Sequence, residues 1–190
     1  MATQKLNTVR INAGEWRSRL IKFPDADGLR PTPERVRQTV FNWLGQELTG
    51  LTCLDLFAGT GVIGFEALSR GATSVTLVEK SMPAYKALLE NKQLLGADKA
   101  QILHQDAIHF LNANQQKFDL IFLDPPYNQQ WLTKALPLLA SHLTTHGVVY
   151  AEAEFAIDVN ADFATGWQVV KQSKAGNVFY HLLKSTNNND

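Results

Sequence analysis

Short apolar runs alternate with longer segments of helical periodicity through the middle of the chain. Runs rich in β-branched residues and bounded by turn residues predict strands, and apolar residues spaced three or four positions apart predict helices. Strands that alternate with helices favour right-handed βαβ units and a parallel sheet. The predicted strands are 51–56, 74–79, 100–104, 119–123 and 147–151; the predicted helices are 33–48, 61–69, 81–95, 106–113 and 129–142.

The pattern changes at both ends of the chain. Residues 8–24 alternate apolar and polar positions around Ala13 and Gly14, and residues 167–173 and 177–184 flank another turn, so each region predicts a β-hairpin. The predicted fold class is α/β: a doubly wound, mostly parallel seven-stranded sheet that ends in an antiparallel hairpin, with an N-terminal β-hairpin extension. The predicted divisions are an extension at 1–30, a main domain at 31–184 and a mobile tail at 185–190.

Composition narrows the functional classes. The chain carries 18 basic and 18 acidic residues, but positions 1–40 hold eight basic and four acidic ones, which indicates a polyanionic partner. Cys53 is the only cysteine, so no intrachain disulfide can form and a cysteine-based zinc site is not expected. The N-terminus lacks the apolar stretch of a signal peptide, and no run approaches the ~18 apolar residues of a membrane span, which predicts a cytosolic protein without a membrane partner.

A glycine-rich turn follows the first central strand. Gly59, Gly61 and Gly64 fit the pattern of dinucleotide-binding loops, and Glu79 lies 20 residues after Gly59 at the end of the next strand. One interpretation is an NAD-dependent oxidoreductase, with Glu79 on ribose hydroxyls. The other is S-adenosylmethionine binding, because Asp55 suits the ammonium group of that ligand and the order acid-x-Phe-x-Gly-x-Gly is usual for methyltransferases.

The candidate cofactor residues lie in this loop and in the turns after the next two strands. Asp106 follows the third predicted strand, where it could accept a hydrogen bond from an adenine amino group. The predicted set for S-adenosylmethionine, and for its product S-adenosylhomocysteine, is Asp55, Phe57, Gly59, Gly61, Glu79, Asp106 and Ala107.

The strand predicted at 119–123 ends in an acid, two prolines and an aromatic residue. Proline cannot continue a strand ladder and restricts the residue before it, so the chain is locked after Asp124. The Asp124 carboxylate and a carbonyl of the following turn can each accept a hydrogen bond from an exocyclic amine of a nucleobase, and Tyr127 can stack on the base. The predicted catalytic residues are therefore Asp124, Pro125, Pro126 and Tyr127, which favours methyl transfer over hydride transfer.

Longer motifs are similar to one known family over roughly residues 8–184. They are VRINAGEWRSRLI, GLRPTPERVRQTVFNWL, LDLFAGTGVIGFEALSRGA, FDLIFLDPPY and AGNVFY. The chain resembles the bacterial methyltransferases that modify guanine N2 in 16S ribosomal RNA, of the RsmD type. The resemblance implies a class I methyltransferase (Rossmann-like) fold and S-adenosylmethionine as methyl donor. It also implies a guanine at position 966 of 16S rRNA, in the assembled or assembling small ribosomal subunit, as target. The protein is also expected to be a monomer.

Basic and aromatic residues near the N-terminus are candidates for RNA contact. Arginines suit phosphates, as does the start of the helix predicted at 33–48, and Trp16 could stack on a base. Arg35 and Arg37 have an alternative role as ion-pair partners of acids such as Glu34 or Glu66. The predicted RNA-binding set is Arg10, Trp16, Arg17, Arg19, Arg30, Thr32, Arg35 and Arg37.

Other functions stay open on these motifs. A DNA adenine-N6 methyltransferase uses the same Asp-Pro-Pro-Tyr chemistry but usually carries a larger target-recognition region. Protein glutamine-N5 methyltransferases usually have asparagine at the position of Asp124, and a non-catalytic RNA-binding scaffold does not require the acidic and glycine set. The five histidines show no metal-ligand spacing, so no metal is expected, and Glu152 and Glu154 are expected to be solvated or structural.

Overall fold

The computed structural model describes residues 6–26, 28–127 and 130–188. These residues form one seven-stranded sheet flanked by helices, and a separate two-stranded hairpin. The strands are β1 (Leu6–Arg10), β2 (Leu20–Pro24), β3 (Thr52–Asp55), β4 (Ser74–Glu79), β5 (Ala100–His104), β6 (Phe118–Leu123), β7 (Leu143–Ala153), β8 (Trp167–Ala175) and β9 (Val178–Ser185). The helices are α1 (Glu34–Trp43), α2 (Val62–Ser69), α3 (Met82–Leu95), α4 (Ala107–Ala113) and α5 (Trp131–Leu139).

The strand order of the large sheet is β5-β4-β3-β6-β7-β9-β8. Strands β5 to β7 in this order are parallel, and β9 pairs antiparallel with both β7 and β8. The chain runs outward from β3 to β4 and β5, then returns to β6 on the other side of β3. Ligands of such sheets bind beyond the carboxyl ends of the strands at this reversal. The predicted mostly parallel sheet with a terminal antiparallel hairpin is confirmed.

Alternate residues of the central strands pack on opposite faces of the sheet. On β6, Leu120 and Phe122 join the core that includes α1, α2 and α3, whereas Ile121 and Leu123 join the core that includes α4 and α5. All four side chains are fully buried, and each burial stabilises the fold by roughly 1.5–3 kcal/mol. This packing on both faces fixes the point at which β6 ends, and with it the position of the following residue, Asp124.

The N-terminal hairpin docks on the main core. β1 and β2 pair antiparallel, which confirms the predicted hairpin, and residues 11–19, which include Ala13 and Gly14, connect the strands in a broad loop. The reason is contact with α2: a Cβ on Gly14 would lie 1.8 Å from the Ser69 carbonyl oxygen, so only glycine fits. The backbone N–H of Trp16 also donates to the Ser69 hydroxyl at 2.8 Å. The loop is thus anchored to α2, while the predicted division after residue 30 stays a prediction.

Two predicted helices are longer than the observed ones. α1 ends at Trp43 instead of 48, because Gly45 and Gln46 adopt left-handed backbone conformations with φ of 92° and 67°. α5 begins at Trp131, and a 3₁₀ turn at Ala140–His142 replaces its predicted last turn. Residue 129, the predicted start of α5, lies outside the described residues.

β7 is longer than predicted, and the predicted tail is partly ordered. Leu143 pairs with Phe118 on β6, which extends β7 well before its predicted start at 147. Ser185 is the last residue of β9 and Thr186–Asn188 form a 3₁₀ turn, whereas residues 189–190 of the predicted mobile tail lie outside the described residues. No helix in the described part of the chain is long and apolar enough to cross a membrane.

A buried ion-pair network joins α1 to α2. The Glu66 carboxylate accepts hydrogen bonds from Arg37 Nη1 at 2.5 Å and from Arg70 Nη2 at 2.8 Å, and all three side chains are almost fully buried. The Arg70 guanidinium also lies 4.3 Å from the centroid of the Phe41 ring. One carboxylate is therefore shared by two buried cations, which makes Glu66 the centre of the contact between the two helices.

Replacing Glu66 with alanine is expected to lower the free energy of unfolding by about 3–5 kcal/mol, because it leaves two buried guanidinium groups without their counter-ion. Urea unfolding followed by circular dichroism measures this loss. Glu90→Ala, which removes an exposed acid from α3, is the matched control and should change the value by less than about 0.5 kcal/mol. Equal effects of the two substitutions would contradict the central role of Glu66.

Candidate active site

The predicted acidic residues meet at the carboxyl edge of the sheet. Asp55 ends β3, and Asp124 follows β6, the neighbouring strand, in which Phe122 pairs with Asp55. On the other side of β6, Leu123 pairs with Ala151 of β7, so the next residues in register are Asp124 and Glu152. Three acidic residues from three adjacent strands therefore lie side by side at the reversal point of the sheet.

The glycine loop has the geometry that its spacing predicts. Gly59 and Gly61 adopt left-handed conformations with φ of 52° and 75°, and Gly61 is the N-cap of α2. A Cβ on Gly61 would lie 2.3 Å from a methyl carbon of Leu88, so this turn excludes a side chain. Glu79 Oε2 accepts the Gly59 N–H at 2.8 Å, which ties the loop to the end of β4. The structure thus brings Gly59, Gly61 and Glu79 together.

Asp55 is buried directly beneath this loop. Its Oδ2 atom accepts the backbone N–H of Gly64 at 3.2 Å, within the first turn of α2. Burial, followed by repulsion from Asp124, raises the pKa of Asp55 to about 7; the Gly64 hydrogen bond opposes this shift, and Glu79 adds to it. A cation placed beside Asp55 would restore its ionised form, so the environment of Asp55 suits a positively charged ligand.

Asp106 lies at the same edge, beyond β5, and begins α4. Its Oδ1 atom accepts the backbone N–H groups of Ile108 and His109 at 3.0 and 3.2 Å, and its Oδ2 atom pairs with Lys80 Nζ at 3.1 Å. Partial burial alone would raise the pKa of Asp106, but these hydrogen bonds and the ammonium of Lys80 outweigh it and hold the pKa below its usual value. Asp106 is thus an ionised helix cap, and its contact with an adenine stays a prediction.

The other two predicted cofactor residues follow Asp106 and Asp55 in the chain. Ala107 is the buried first residue of α4. Phe57 is half-buried in the loop after β3, with its ring centroid 5.8 Å from that of Trp131 at the start of α5. Within the described residues, no group of three or more His, Cys, Asp and Glu side chains is arranged to hold a metal ion.

Asp124 and Tyr127 offer a recessed acceptor beside an exposed ring. Exclusion of water raises the pKa of Asp124 to about 6, while hydrogen bonds from Thr32 and Glu152 oppose this shift. Pro125 is buried and Pro126 is exposed, and the Tyr127 side chain is 43% exposed. The predicted catalytic residues therefore lie together in the structure, and the carboxyl group among them, that of Asp124, can be ionised near neutral pH.

The sequence prediction missed Glu152 and Tyr150 as members of this site. Glu152 is only 3% exposed, so of the two roles expected for it, solvated or structural, the structure agrees with the structural one, whereas Glu154 is exposed. Tyr150 Oη donates to Glu152 Oε1 at 2.7 Å, and Glu152 is hydrogen-bonded to Asp124. Burial and then repulsion from Asp124 raise the pKa of Glu152 well above its usual value, which favours the neutral carboxyl group, and that form can donate a hydrogen bond to Asp124. The signal for this role is strand register, which requires knowing that β7 lies beside β6.

Comparison with known proteins identifies the family. The family described as Conserved hypothetical protein 95 matches residues 9–184. Ribosomal RNA small subunit methyltransferase D of Escherichia coli (strain K12) is 36% identical over 178 residues, which cover 93% of this chain and 89% of that protein. The chain belongs to this family. The expected family resemblance is confirmed.

Solved structures agree with this assignment. A putative methyltransferase, yhhF from Escherichia coli, superposes with a TM-score of 0.82 at 32% identity, covering 94% of this chain and 98% of that one. The T. thermophilus 16S rRNA N2 G1207 methyltransferase, in complex with AdoMet and guanosine, superposes with a TM-score of 0.73. That similarity covers 97% of this chain and 51% of the other at 20% identity, so it shows the fold alone. The class I methyltransferase fold predicted for the family member is confirmed.

Three of the residues predicted to contact RNA are buried, and the structure contradicts that role for them. Trp16 is 8% exposed and packs in the core under the hairpin loop. Arg37 is 2% exposed and pairs with Glu66, the alternative that the sequence left open. Thr32 is 6% exposed, and its hydroxyl donates to Asp124 Oδ2 at 3.2 Å. Residue type alone does not distinguish these buried side chains from solvated ones.

The remaining arginines of that set are exposed and fall into two groups. Arg30 and Arg35 flank Thr32, close in sequence to the residue that contacts Asp124. In the second group, Arg19 donates to the Leu94 carbonyl at 2.7 Å, near the carboxyl end of α3 and therefore near the opposite edge of the sheet. The other members of the second group are Arg10 and Arg17.

The raised pKa of Asp55 predicts an unusual titration. In the cofactor-free protein Asp55 should gain a proton as the pH falls from about 8 to about 6, while Asp106 should stay ionised over this range. Because the folded-state pKa exceeds the unfolded value, the contribution of Asp55 to the free energy of unfolding increases as the pH falls from about 7 towards 4. Carboxyl ¹³C NMR, with Asp55→Asn to assign the resonance, measures the titration. A midpoint near 4 would refute the described burial.

Proposed function

We propose that the protein transfers a methyl group from S-adenosylmethionine to the exocyclic N2 of a guanine in small-subunit ribosomal RNA. The observation that supports this most directly is the Asp124 carboxylate, recessed beside the exposed Tyr127 ring and placed at the same sheet edge as the glycine loop. Asp124 would accept a hydrogen bond from the amine and localise its lone pair, which the aromatic ring otherwise delocalises. Tyr127 would stack on the base after it leaves its helix.

The residues at the sheet edge fit the proposed cofactor. When bound, S-adenosylmethionine supplies an activated methyl group on a positively charged sulfur. Asp55 would hold the ammonium group and Glu79 the ribose hydroxyls, with Asp106 toward the adenine. The cluster of Asp55, Asp124 and Glu79 supports this, because burial and then repulsion from Asp124 and Glu79 raise the pKa of Asp55, and a cationic ligand would relieve the repulsion. Gly59 and Gly61 allow a close approach of the backbone.

The catalytic contribution of the protein in this proposal is largely positional. An exocyclic amine is a weak nucleophile, so its nitrogen must be held in line with the methyl group. Asp124 would take one N–H of the amine, and a carbonyl in the Pro125–Pro126 turn would take the other. The methylated nitrogen would then release a proton, which requires no strong base.

The finer features of the substrate rest on relatives. The Escherichia coli relative is named for the small-subunit RNA, and the N2 of guanine and its position rest on the family resemblance. A particle of small-subunit RNA as partner, a monomeric enzyme and a cytoplasmic location are further parts of the proposal. The exposed Arg30 and Arg35 beside the site support a polyanionic substrate.

The decisive experiment incubates the protein with labelled S-adenosylmethionine and three acceptors: unmethylated small subunits, naked 16S RNA and duplex DNA. Nuclease digestion and nucleoside mass spectrometry then locate the label. We expect N2-methylguanosine in ribosomal RNA. Comparing the label in the small subunits with the label in naked 16S RNA shows which form of the RNA is the substrate. Label in DNA adenine alone would overturn the substrate assignment, and cofactor binding without transfer to any acceptor would favour a non-catalytic scaffold.

Replacing Asp124 with alanine is expected to lower methyl transfer at least about 10²-fold, because the amine loses its acceptor. Cofactor affinity should survive, since Asp124 repels the ionised form of Asp55 and its removal favours that form. Single-turnover transfer and calorimetric titration with S-adenosylhomocysteine measure the two effects separately. Asp98→Ala, an exposed acid beyond α3, is the control. Loss of cofactor binding together with transfer would contradict the proposed role.

The two groups of exposed arginines predict different contributions to RNA affinity. The double substitution Arg30→Ala and Arg35→Ala should weaken RNA binding, and it should lower the slope of log K against log salt by about one for each phosphate that is no longer neutralised. The charge-matched pair Arg10→Ala and Arg17→Ala, on the hairpin away from Asp124, should have the smaller effect. Filter binding over a range of salt concentrations measures both. A larger effect of the hairpin pair would place the main RNA-binding surface on the far side of the protein.

A further inference from the structure

Two buried side chains converge on the Asp124 carboxylate from different parts of the fold. The Thr32 hydroxyl, from the segment before α1, donates to Asp124 Oδ2 at 3.2 Å. The Glu152 carboxyl group, on β7, forms the second hydrogen bond. Thr32 is 6% and Glu152 is 3% exposed, so neither is available for contact with bulk solvent. Asp124 is therefore held between two fixed partners.

The backbone around Thr32 is restricted on both sides. Pro31 and Pro33 flank Thr32, and a residue before proline is confined to extended conformations. Pro33 itself is the N-cap of α1, with φ −55° and ψ 144°. The Thr32 side chain is thus presented from a segment with few alternative conformations, which reduces the entropy cost of holding its hydroxyl in one place.

Arg37 fixes the Thr32 backbone from inside the protein. Arg37 Nε donates to the Thr32 carbonyl oxygen at 3.1 Å, while its Nη1 donates to Glu66. Glu66 lies on α2, the helix that starts at the glycine loop. A continuous set of buried hydrogen bonds therefore links α2, through Arg37 and Thr32, to Asp124.

The partner on the other side is fixed as well. Tyr150 Oη donates to Glu152 Oε1 at 2.7 Å, and the register of β6 and β7 places the Glu152 carboxyl group beside Asp124, with which it forms a hydrogen bond. Tyr150 is fully buried and packs against Phe122, with ring centroids 6.3 Å apart. Glu152 consequently acts as a hydrogen-bond donor from a rigid strand.

We propose that Thr32 and Glu152 are positioning residues that aim the Asp124 carboxylate at the target amine, and that Arg37 and Glu66 hold Thr32 in place. This inference rests on the proposed methyl transfer. The terminal torsion of an aspartate is broad, so an unsupported carboxylate would sample many orientations relative to the amine. Two donors restrict that torsion before the substrate arrives, and a preorganised acceptor avoids reorganisation during the reaction.

The first test compares Thr32→Val, which keeps the shape but removes the hydroxyl, with Thr32→Ser, which keeps the hydroxyl. Misplacement of a reacting group by about 1 Å can slow a reaction 10²-fold, so Thr32→Val should lower kcat by about 10- to 100-fold. KM for RNA and affinity for S-adenosylhomocysteine should stay close to the values of the unmodified protein. Thr32→Ser should retain most of kcat. Thr39→Val makes the same change at an exposed hydroxyl of α1 and is the matched control.

A second measurement does not depend on activity. The Thr32 hydrogen bond lowers the pKa of Asp124, so Thr32→Val should raise that pKa in a carboxyl ¹³C NMR titration and Thr32→Ser should leave it unchanged.

A third comparison returns to activity and tests Glu152. Glu152→Gln keeps a donor to Asp124 and an acceptor for Tyr150, so this variant should be more active than Glu152→Leu.

The possible results separate the two proposals. Failure of the unmodified protein to form N2-methylguanosine would overturn the proposed function, and the titration of Asp124 would still test the contact from Thr32. An active unmodified protein with normal kcat in Thr32→Val would overturn the positioning role. Equal losses in Thr32→Val and Thr32→Ser would also overturn it, because they would show that the hydroxyl is not the determinant.

Discussion

The repulsion among acidic groups at one edge of the sheet constrains the rest of the site. Asp55, Asp124 and Glu152 lie at the carboxyl ends of three adjacent parallel strands or next to those ends, and burial raises the pKa of each. Each carboxyl group has a specific donor: the Gly64 N–H for Asp55, the Thr32 hydroxyl for Asp124 and the Tyr150 hydroxyl for Glu152. The raised pKa of Glu152 favours its neutral form, which lowers the negative charge of the cluster. What remains is an excess of negative charge, and a cationic methyl donor is complementary to it.

The segment before α1 contributes to this arrangement from the inside of the protein. The composition of this segment and of the first turn of α1 is basic and indicates RNA contact, yet Arg37 of α1 is buried and its guanidinium joins Glu66 to the backbone of Thr32. The same carboxylate binds Arg70 at the end of α2. Because α2 begins at the glycine loop, one buried network supports both the proposed cofactor loop and the proposed acceptor for the target base. Arg30 and Arg35 are exposed, so they would be available to the proposed RNA substrate.

Much of the fold could be predicted from the sequence, because hydrophobic periodicity and turn residues act locally. The strands at 74–79 and 100–104 match the observed bounds of β4 and β5. The acids beside glycine and proline turns were also identifiable, since the turns determine where strands end. The burial of individual side chains could not be predicted, because Trp16 and Arg37 resemble solvent-facing RNA contacts until α2 is known to lie against them. Predicting the role of Glu152 requires further structural information, because this role depends on the register of β7 beside β6.

The proposed site would need fixed partners for Asp124 because the exocyclic amine of its substrate is a weak nucleophile. An exocyclic amine gains little from a stronger base, so rate must come from holding the acceptor, the ring and the methyl group in register. Asp124 has fixed partners on two sides, and the proline pair follows it directly, whereas Tyr127 remains 43% exposed. This contrast assigns rigidity to the atom that must direct the amine and accessibility to the ring that must receive the base. A loosely held Asp124 would still bind a guanine, but the bound base would adopt reactive geometry less often.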